Sequence, residues 1–203
     1  MAIGAGVLTL SEPFRSWLIP PAVVGLDQKP DPDGRLLGHF PYAEVSESEL
    51  VELEAGQRLH RDAAREWLAM QEAAYRDGVD LRLLSAFRSV DDQTSIFFDV
   101  KSERNQTARD RARVSAPPGY SEHSTGYAID VGDANAPGAD LSTGFEQTEG
   151  YDWLRAHAQR YHFALSFPRG NRQGVSYEPW HWRFEGTATA LKVFEPAGRF
   201  ALR

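Results

Sequence analysis

The sequence contains no cysteine, and this absence limits both its cross-links and its metal chemistry. Disulfide bonds and metal sites built on thiolates are excluded. A metal site in this chain must therefore use histidine and carboxylate side chains, which are present as 6 histidines and 29 acidic residues. The absence leaves the compartment open, because an exported protein can also lack cysteine.

Long apolar runs and clusters of basic residues are also absent. No stretch approaches the ~20 consecutive apolar residues that span a bilayer, so we expect no transmembrane segment. Residues 2–10 are apolar but contain no lysine or arginine and no clear cleavage site, which makes them a poor secretory signal. The formal net charge of −7 and the lack of a basic run argue against a nucleic-acid partner.

The length and composition are those of one ordinary globular domain. The chain has 203 residues, of which 41% are hydrophobic and 25% charged, enough for one core. Residues 1–46 contain six prolines, which break any long helix, and we interpret them as an extended arm or, alternatively, a partly disordered tail. The expected anchors of this arm are Phe14, Trp17, Leu18 and Ile19. Residues 47–203 form the predicted domain.

Apolar periodicity and turn residues predict the order of helices and strands. Helices are expected over 47–77, 90–113 and 149–161, and strands over 81–87, 127–131, 163–167 and 177–184. The first helix can begin at Ser46 or Ser48 and end at Gly78. The tail after Gly186 is expected to be weakly helical up to about Val193. This order predicts an α+β domain.

The helix over 90–113 is expected to begin at a capping box formed by Ser89 and Asp92. Its second half is basic, and we interpret the arginines there as a solvent-exposed face. These are Arg104, Arg109, Arg111 and Arg113.

Two stretches contain the residue types that a hydrolytic zinc site needs. His123 and Asp130 stand seven residues apart around Gly126. Further along the chain, Glu178 and His181 stand three residues apart. Catalytic zinc takes three histidine or carboxylate ligands and keeps one position for water. A glutamate beside that water can accept its proton and deliver it to a leaving amine, so these residues indicate a zinc peptidase.

The local sequence adds conditions to this interpretation. Asp130 falls in a predicted strand among apolar neighbours, where an unpaired carboxylate is costly, so it needs a metal, an arginine or several donors. Glu178 and His181 would point to opposite faces of a regular strand. Both can face one metal only if the backbone bends between them, which Pro179 favours. The remaining histidines are interpreted as structural or surface residues: His39, His60, His157 and His162.

Four segments of the chain carry a combined pattern that is highly specific. They are Ser-Ala-Phe-Arg-Ser at 85–89 with Gln93, Pro-Gly-Tyr-Ser-Glu-His-Ser-Thr-Gly at 118–126 with Asp130, Tyr-His-Phe-Ala-Leu-Ser-Phe-Pro at 161–168 with Gly170, and Glu-Pro-Trp-His-Trp-Arg at 178–183. Together they resemble the VanY-type D-alanyl-D-alanine carboxypeptidases over about residues 50–186. Two departures from the family pattern, at Ser124 and at Ala86-Phe87, bear on specificity and not on the expected ligands.

The resemblance implies a single α+β domain, of the hedgehog and D,D-peptidase type, in which helices pack with a small antiparallel sheet that carries a zinc site. It implies that zinc is held by His123, Asp130 and His181, with Glu178 as the general base. It further implies that Arg88 meets the charge of the substrate. The implied reaction is removal of the C-terminal D-alanine from the stem peptides of peptidoglycan.

The roles of three other groups stay open. Arg88 would either stabilise the oxyanion or grip the terminal carboxylate with its planar fork. Ser121 and Gln93 are expected to hydrogen-bond the peptide end, or else are simply a turn residue and a helix N-terminal residue. The substrate would place the protein in the cell envelope or periplasm, and we expect a monomer.

Other functions remain as alternatives. An L,D-carboxypeptidase or a D,D-dipeptidase would act on the same class of substrate. A domain that holds zinc and binds cell-wall peptide without cutting it is disfavoured by Glu178, because a binder has no use for a general base. A structural domain without metal is the last alternative.

Overall fold

Five α-helices and six β-strands follow one another along residues 22–201, the part of the chain that the computed structural model describes. The helices are α1 (Arg61–Arg76), α2 (Val90–Glu103), α3 (Ala108–Ala112), α4 (Glu149–His157) and α5 (Ala188–Ala201). The strands are β1 (Leu50–Glu52), β2 (Arg58–His60), β3 (Leu81–Ser85), β4 (Ala128–Asp133), β5 (Phe163–Leu165) and β6 (His181–Phe184). None of these helices in residues 22–201 combines the length and apolar character needed to cross a bilayer.

A four-stranded antiparallel sheet, in the order β3-β4-β6-β5, forms the centre of the domain. Strands β1 and β2 form a separate antiparallel hairpin. Ile129 and Val131 share one face of β4, and Trp182 and Phe184 share the same face of β6, because Ile129 lies opposite Trp182 in the register. All four side chains are buried, so this face of the sheet is the core face.

Helix α1 joins the same core through an apolar stripe. Trp67, Met70 and Ala74 recur at helical spacing and are at most 1% exposed. The four-stranded sheet and helices α1, α4 and α5 therefore share the main core, and the mixture of helices with an antiparallel sheet confirms the predicted α+β class.

The prediction of one helix over residues 47–77 is wrong for the first half of that range. Residues 47–60 form two 3₁₀ turns and the β1–β2 hairpin, and the α-helix begins only at Arg61. Gly56 has a φ of +74°, which is outside the helical region and allows the chain to reverse between the two strands. The side chain of His60 then caps α1 by accepting a hydrogen bond from the first turn.

The helix predicted over 90–113 is two helices joined at residues 104–107. Ser89 caps α2, since its side chain accepts a hydrogen bond from the N–H of Asp92. The predicted capping box is incomplete, because the Asp92 carboxylate accepts from the Ser89 hydroxyl and not from the Ser89 backbone. Asn105 then adopts a φ of 49°, which interrupts the helix before α3. A second, smaller core holds α2 and α3 together. Its buried residues are Phe97, Ala108 and Ala112.

The C-terminal helix is longer than predicted. Instead of ending near Val193, α5 continues to Ala201. Ala190, Phe194 and Ala197 recur at helical spacing and are buried in the main core. This packing stabilises the helix beyond what its local sequence indicated.

Residues 22–46 contain neither a helix nor a strand. Leu36, Phe40 and Tyr42 nevertheless bury their side chains, and the N–H of Tyr42 donates to the carbonyl of Gly119 at 2.9 Å. This part of the arm therefore packs against the domain. Outside the described residues lie its four predicted anchors, Phe14, Trp17, Leu18 and Ile19.

Candidate active site

Three neighbouring strands place polar residues next to one another on the sheet. In the register, Ser85 of β3 lies opposite Asp130 of β4, and Asp130 lies opposite His181 of β6. Residues directly opposite on adjacent strands share a face. Asp130 and His181 therefore face away from the core side that Ile129 and Trp182 form.

His123 approaches the same place from the 3₁₀ turn Glu122–Thr125, which precedes β4. The turn ends at Gly126, whose φ of 70° is left-handed. A Cβ at this position would lie 3.0 Å from the backbone nitrogen of His60 and 3.1 Å from Cδ2 of Leu50. Both the backbone conformation and the available space therefore require glycine here.

Replacing Gly126 with alanine should lower the free energy of unfolding by about 2 kcal/mol or more. A left-handed residue with a side chain costs ~1–2 kcal/mol, and overpacking costs a further ~1–3 kcal/mol. For a chain of this size the Tm should fall by roughly 4 °C or more. The control is Gly138→Ala, where an added Cβ meets nothing within 4 Å. Equal Tm values for the two variants in thermal unfolding would contradict this account.

His123, Asp130 and His181 converge at the end of the turn. Nε2 of His123 lies 3.3 Å from Oδ2 of Asp130, and Nδ1 of His181 lies 3.1 Å from its Oδ1. One potential ligand atom from each residue lies within 4.8 Å of the other two, and all three side chains are buried. Two imidazoles and one carboxylate are a donor set that suits zinc. We call these three residues the metal-ligand cluster.

The hydrogen bond on the far side of His123 fixes its orientation. Nδ1 of His123 lies 2.7 Å from the carbonyl oxygen of Ala86. Since a carbonyl oxygen only accepts, Nδ1 carries the proton and the lone pair of Nε2 is directed at the cluster. Burial lowers the pKa of His123, which favours the neutral imidazole that a metal ligand must be. Metal sites commonly orient histidine in this way.

His181 is held between two carboxylates. Its Nε2 lies 3.0 Å from Oε2 of Glu122, and its Nδ1 faces Asp130. Burial by itself lowers the pKa of His181, but the hydrogen bonds and charges of Asp130 and Glu122 outweigh burial and raise the pKa to about 10. The surroundings of Nδ1 thus favour a positive charge, and a proton and a metal cation would compete for the same lone pair.

Glu122 is the member of this site whose contacts the sequence did not reveal. It is 3% exposed and accepts hydrogen bonds from Ser166 at 2.5 Å, Arg183 at 3.1 Å and Tyr42 at 3.4 Å. Burial by itself raises the pKa of Glu122, but Arg183 and His181 outweigh it and bring the pKa to about 2. Its carboxylate is therefore ionised and orients His181. A signal was present, because His181 and Arg183 are two residues apart and share a face of β6. An arginine on that face, here only 11% exposed, needs an acid nearby.

Glu178 lies beside the cluster, in the turn before β6. The N–H of His181 donates to the carbonyl of Glu178 at 3.1 Å, so the backbone bends here and the predicted strand over 177–184 begins only at His181. Oε2 of Glu178 lies 3.9 Å from Nδ1 of His181. Burial raises the pKa of Glu178 to about 8, a value suited to proton exchange near neutral pH.

Arg88 also reaches the cluster, just beyond the end of β3. Its guanidinium donates to Oε1 of Gln93 at 2.9 Å and to Oγ of Ser85 at 3.0 Å, and it lies 4.0 Å from Oδ2 of Asp130. Gln93 is fully buried, and its amide nitrogen donates to Ser115 and Ala116. Gln93 therefore supports Arg88 from behind, rather than facing the open side of the site.

A cavity of about 480 Å³ opens over these residues, which is a size typical of ligand sites. Its lining includes the metal-ligand cluster, together with Arg88, Ser121 and Glu178. Of the sequence-predicted site residues, only Gln93 does not line it. Apolar side chains line another part of the cavity, among them Trp180 and Leu141. The arrangement can bind a cation and a peptide-sized ligand in one open cavity.

Comparison with known proteins points to one family of carboxypeptidases. The family model described as VanY, D-alanyl-D-alanine carboxypeptidase, matches residues 56–187. The D-alanyl-D-alanine carboxypeptidase of Enterococcus faecalis (strain ATCC 700802 / V583) is 32% identical over 155 residues, which are 72% of this chain and 55% of that protein. The chain spans about half the length of three curated relatives that it matches.

Solved structures with the same fold include two peptidases. The LdcB LD-carboxypeptidase has a TM-score of 0.63 and 30% identity, covering 77% of this chain and 76% of that one. A mutant of the vancomycin-resistance D,D-pentapeptidase VanY, from a VanB-type cassette and in complex with Zn(II), has a TM-score of 0.60 and 25% identity. That similarity covers 79% of this chain and 93% of the other.

The family model covers most of the chain and includes the metal-ligand cluster, Arg88 and Glu178. The four sequence segments, the fold and the matched range agree with one another. The chain belongs to the VanY family of D-alanyl-D-alanine carboxypeptidases.

Proposed function

We propose that this protein is a zinc-dependent carboxypeptidase that removes the C-terminal D-alanine from stem peptides of peptidoglycan. The observation that carries the proposal is the convergence of His123, Asp130 and His181 in one cavity, with Glu178 beside them. A D,D-pentapeptidase of the same fold, in complex with Zn(II), supports the choice of metal and reaction.

The donor set fits a zinc ion on chemical grounds. Because Nδ1 of His123 donates to the carbonyl of Ala86, the lone pair of Nε2 is directed at the cluster. The surroundings of His181 favour a cation. The contacts of Asp130 with the two histidines hold the pKa of its carboxyl well below the usual range despite burial, so it is ionised. A zinc ion bound by these three side chains would act as a Lewis acid, lowering the pKa of a water molecule to about 7 and polarising the scissile carbonyl.

Glu178 is the proposed general base and then the general acid. Its carboxylate would accept a proton from the attacking water and pass that proton to the amine of the departing D-alanine. Its position supports this role, because Oε2 lies close to the cluster without being among the three converging ligand atoms. The low exposure of the side chain keeps bulk water from competing for the proton.

Arg88 is the proposed contact for substrate charge, and Ser121 is a proposed hydrogen-bonding partner of the peptide end. Gln93 and Ser85 hold the Arg88 guanidinium in place, which supports a positioned role rather than a surface ion pair. The guanidinium could meet either the developing oxyanion or the terminal carboxylate of the peptide.

Kinetics of Arg88 variants separate these two roles. If Arg88 grips the terminal carboxylate, Arg88→Ala should mainly raise KM. If it stabilises the oxyanion, the loss should fall mainly on kcat, by about 10²–10³-fold. Arg88→Lys keeps the charge but loses the bidentate fork, so it should recover only part of the activity. Steady-state D-alanine release measures both constants, and unchanged kinetics in both variants would return Arg88 to a structural role.

The second candidate is an L,D-carboxypeptidase acting on the tetrapeptide, which the similarity to the LdcB LD-carboxypeptidase favours. A D,D-dipeptidase is a further member of the same substrate class. Release of D-alanine from a pentapeptide, from a tetrapeptide and from free D-alanyl-D-alanine would distinguish the three activities. Failure of the zinc-loaded protein to release D-alanine from any of them would contradict the proposed function.

We also propose where the protein acts, its oligomeric state and how its chain is divided. Peptidoglycan lies outside the cytoplasmic membrane, so we propose that the protein acts in the cell envelope or periplasm, as a monomer. We further propose that residues 1–46 form an arm and that residues 47–203 form the carboxypeptidase domain. Light scattering and fractionation of the native host would test the monomer and the location.

A further inference from the structure

Two arginines of the cavity wall have no carboxylate partner among residues 22–201. Arg104 follows α2 and Arg111 lies in α3, and both line the cavity that contains the metal-ligand cluster. The sequence had suggested that they belong, with Arg109 and Arg113, to a solvent-exposed face. Arg109 and Arg113 are exposed, but Arg111 is only 7% exposed. That prediction is therefore wrong for Arg111.

The guanidinium of Arg111 is only partly satisfied by the protein. A guanidinium has five N–H donors. One terminal nitrogen of Arg111 donates to the carbonyl of Ile96 in α2 at 3.2 Å. Its Nε is fully buried and has no hydrogen-bond partner among the described residues. Buried donors are normally paired, so an arginine of the cavity wall that leaves most of its donors unpaired among the described residues points to an anionic ligand.

Arg111 lies close to the reacting end of the cavity. Arg88 is hydrogen-bonded to Gln93 of α2, and Arg111 to Ile96 of the same helix. Residues three apart on a helix are separated by about 4.5 Å along the axis. The Arg88 and Arg111 guanidinium groups therefore contact α2 at positions about one helical turn apart. The second core, which joins α2 to α3, fixes this spacing.

The charges around this wall favour an anion. Burial, and then the neighbouring Arg104 and Arg88, lower the pKa of Arg111. Three acidic groups line the cavity: Glu122 pairs with Arg183, Asp130 contacts the two histidines of the cluster, and Glu178 lies beside His181. Among residues 22–201, none of the three forms an ion pair with Arg104 or Arg111. In a chain of formal net charge −7, this wall thus gathers three guanidinium groups.

From this placement we infer that Arg111, with Arg104 at its side, forms a second anion subsite in the cleft and binds a carboxylate of the peptide substrate. The inference rests on the proposed function and deepens it, because it specifies a charged group that the preferred substrate carries. The carboxylate has two possible sources in such a peptide. One is the terminal carboxylate, and the other is a carboxylate on a side chain further along the peptide.

Binding of three peptides to the zinc-loaded Glu178→Gln protein tests the subsite without cleavage. The first peptide ends in D-alanyl-D-alanine and has diaminopimelic acid before it. The second has lysine there, which differs by one carboxylate. The third is the first peptide with its terminal carboxylate converted to an amide. Calorimetry gives the Kd of each for this protein and for versions that also carry Arg111→Gln, Arg104→Gln or Arg109→Gln.

We expect Arg111→Gln to weaken binding of the first peptide by roughly tenfold or more, because hydrogen bonds to charged groups are the strong ones. If the side-chain carboxylate is the source, binding of the lysine peptide stays within twofold. If the terminal carboxylate is the source, both acid-ended peptides lose affinity and the amide does not. Either pattern supports the subsite, and Arg104→Gln should show it more weakly.

The controls separate the subsite from folding and from the function itself. Arg109→Gln removes the same charge from the same helix, at an exposed position that does not line the cavity, so its Kd values should not change. The subsite is overturned if Arg111→Gln weakens the binding of all three peptides equally. It is also overturned if neither Arg111→Gln nor Arg104→Gln weakens the binding of any peptide. If either of these results is obtained while the wild-type protein releases D-alanine, only the subsite is wrong and the proposed function stands. No binding of any peptide and no release overturns both.

Discussion

Glu178→Gln should retain zinc and lose D-alanine release by about 10²–10⁴-fold, the range that a positioned general acid–base group contributes. Glutamine keeps the size of the side chain but cannot accept a proton from water. Because Glu178 contributes none of the three converging ligand atoms, the zinc content of the variant should equal that of the wild type. Metal analysis together with kcat on a D-alanyl-D-alanine pentapeptide would measure both quantities.

The control for this prediction is Glu52→Gln, the same chemical change on an exposed residue of β1, outside the cavity. That variant should keep wild-type turnover. Normal turnover of Glu178→Gln would contradict the general-base role, whereas loss of zinc from it would assign Glu178 to the metal instead.

His123→Ala should abolish stoichiometric zinc binding and reduce turnover by roughly 10³-fold or more, because the metal supplies several kcal/mol of transition-state stabilisation. One of three converging donors would be lost, and Asp130 would lose a contact at 3.3 Å. Zinc that binds only the folded state adds about 2.7 kcal/mol of stability at a hundredfold excess over its Kd. The variant should therefore also lose the zinc-dependent rise in Tm.

His157→Ala is the control for the loss of an imidazole, since His157 contacts Trp153 in α4 and does not line the cavity. It should keep zinc content and the zinc-dependent rise in Tm. A His123→Ala protein that still binds one zinc with unchanged affinity would contradict the metal-ligand cluster. Treating the wild type with a chelator should reproduce the loss, and adding zinc should restore activity.

The parts of the site that the sequence predicted depend on short-range rules. Asp130 was expected in a strand with a polar partner, and the alternation of β4 places it opposite His181. The bend between Glu178 and His181 followed from their spacing and from Pro179. Such rules need only a few neighbouring residues, so they can be read along the chain.

The parts that the sequence did not predict depend on distant contacts. Arg111 looked like one of several exposed arginines, but the docking of α3 on α2 buries it. The first half of the expected helix over 47–77 failed because a hairpin, turning at Gly56, competes with the helix there. Local propensity cannot weigh such alternatives, since the deciding contacts form only in the folded chain.

The hydrogen bonds of Glu122 connect the proposed metal ligand His181 to both flanks of the domain. Tyr42 donates to Glu122, and Arg183, which also pairs with Glu122, lies 5.0 Å from the ring centre of Phe194. Tyr42 precedes residues 56–187, and Phe194 follows them. A fragment cut to that range would carry every proposed ligand and lack two supports of His181. The part of the chain that supports the proposed site is therefore wider than residues 56–187, the range by which the family is recognised.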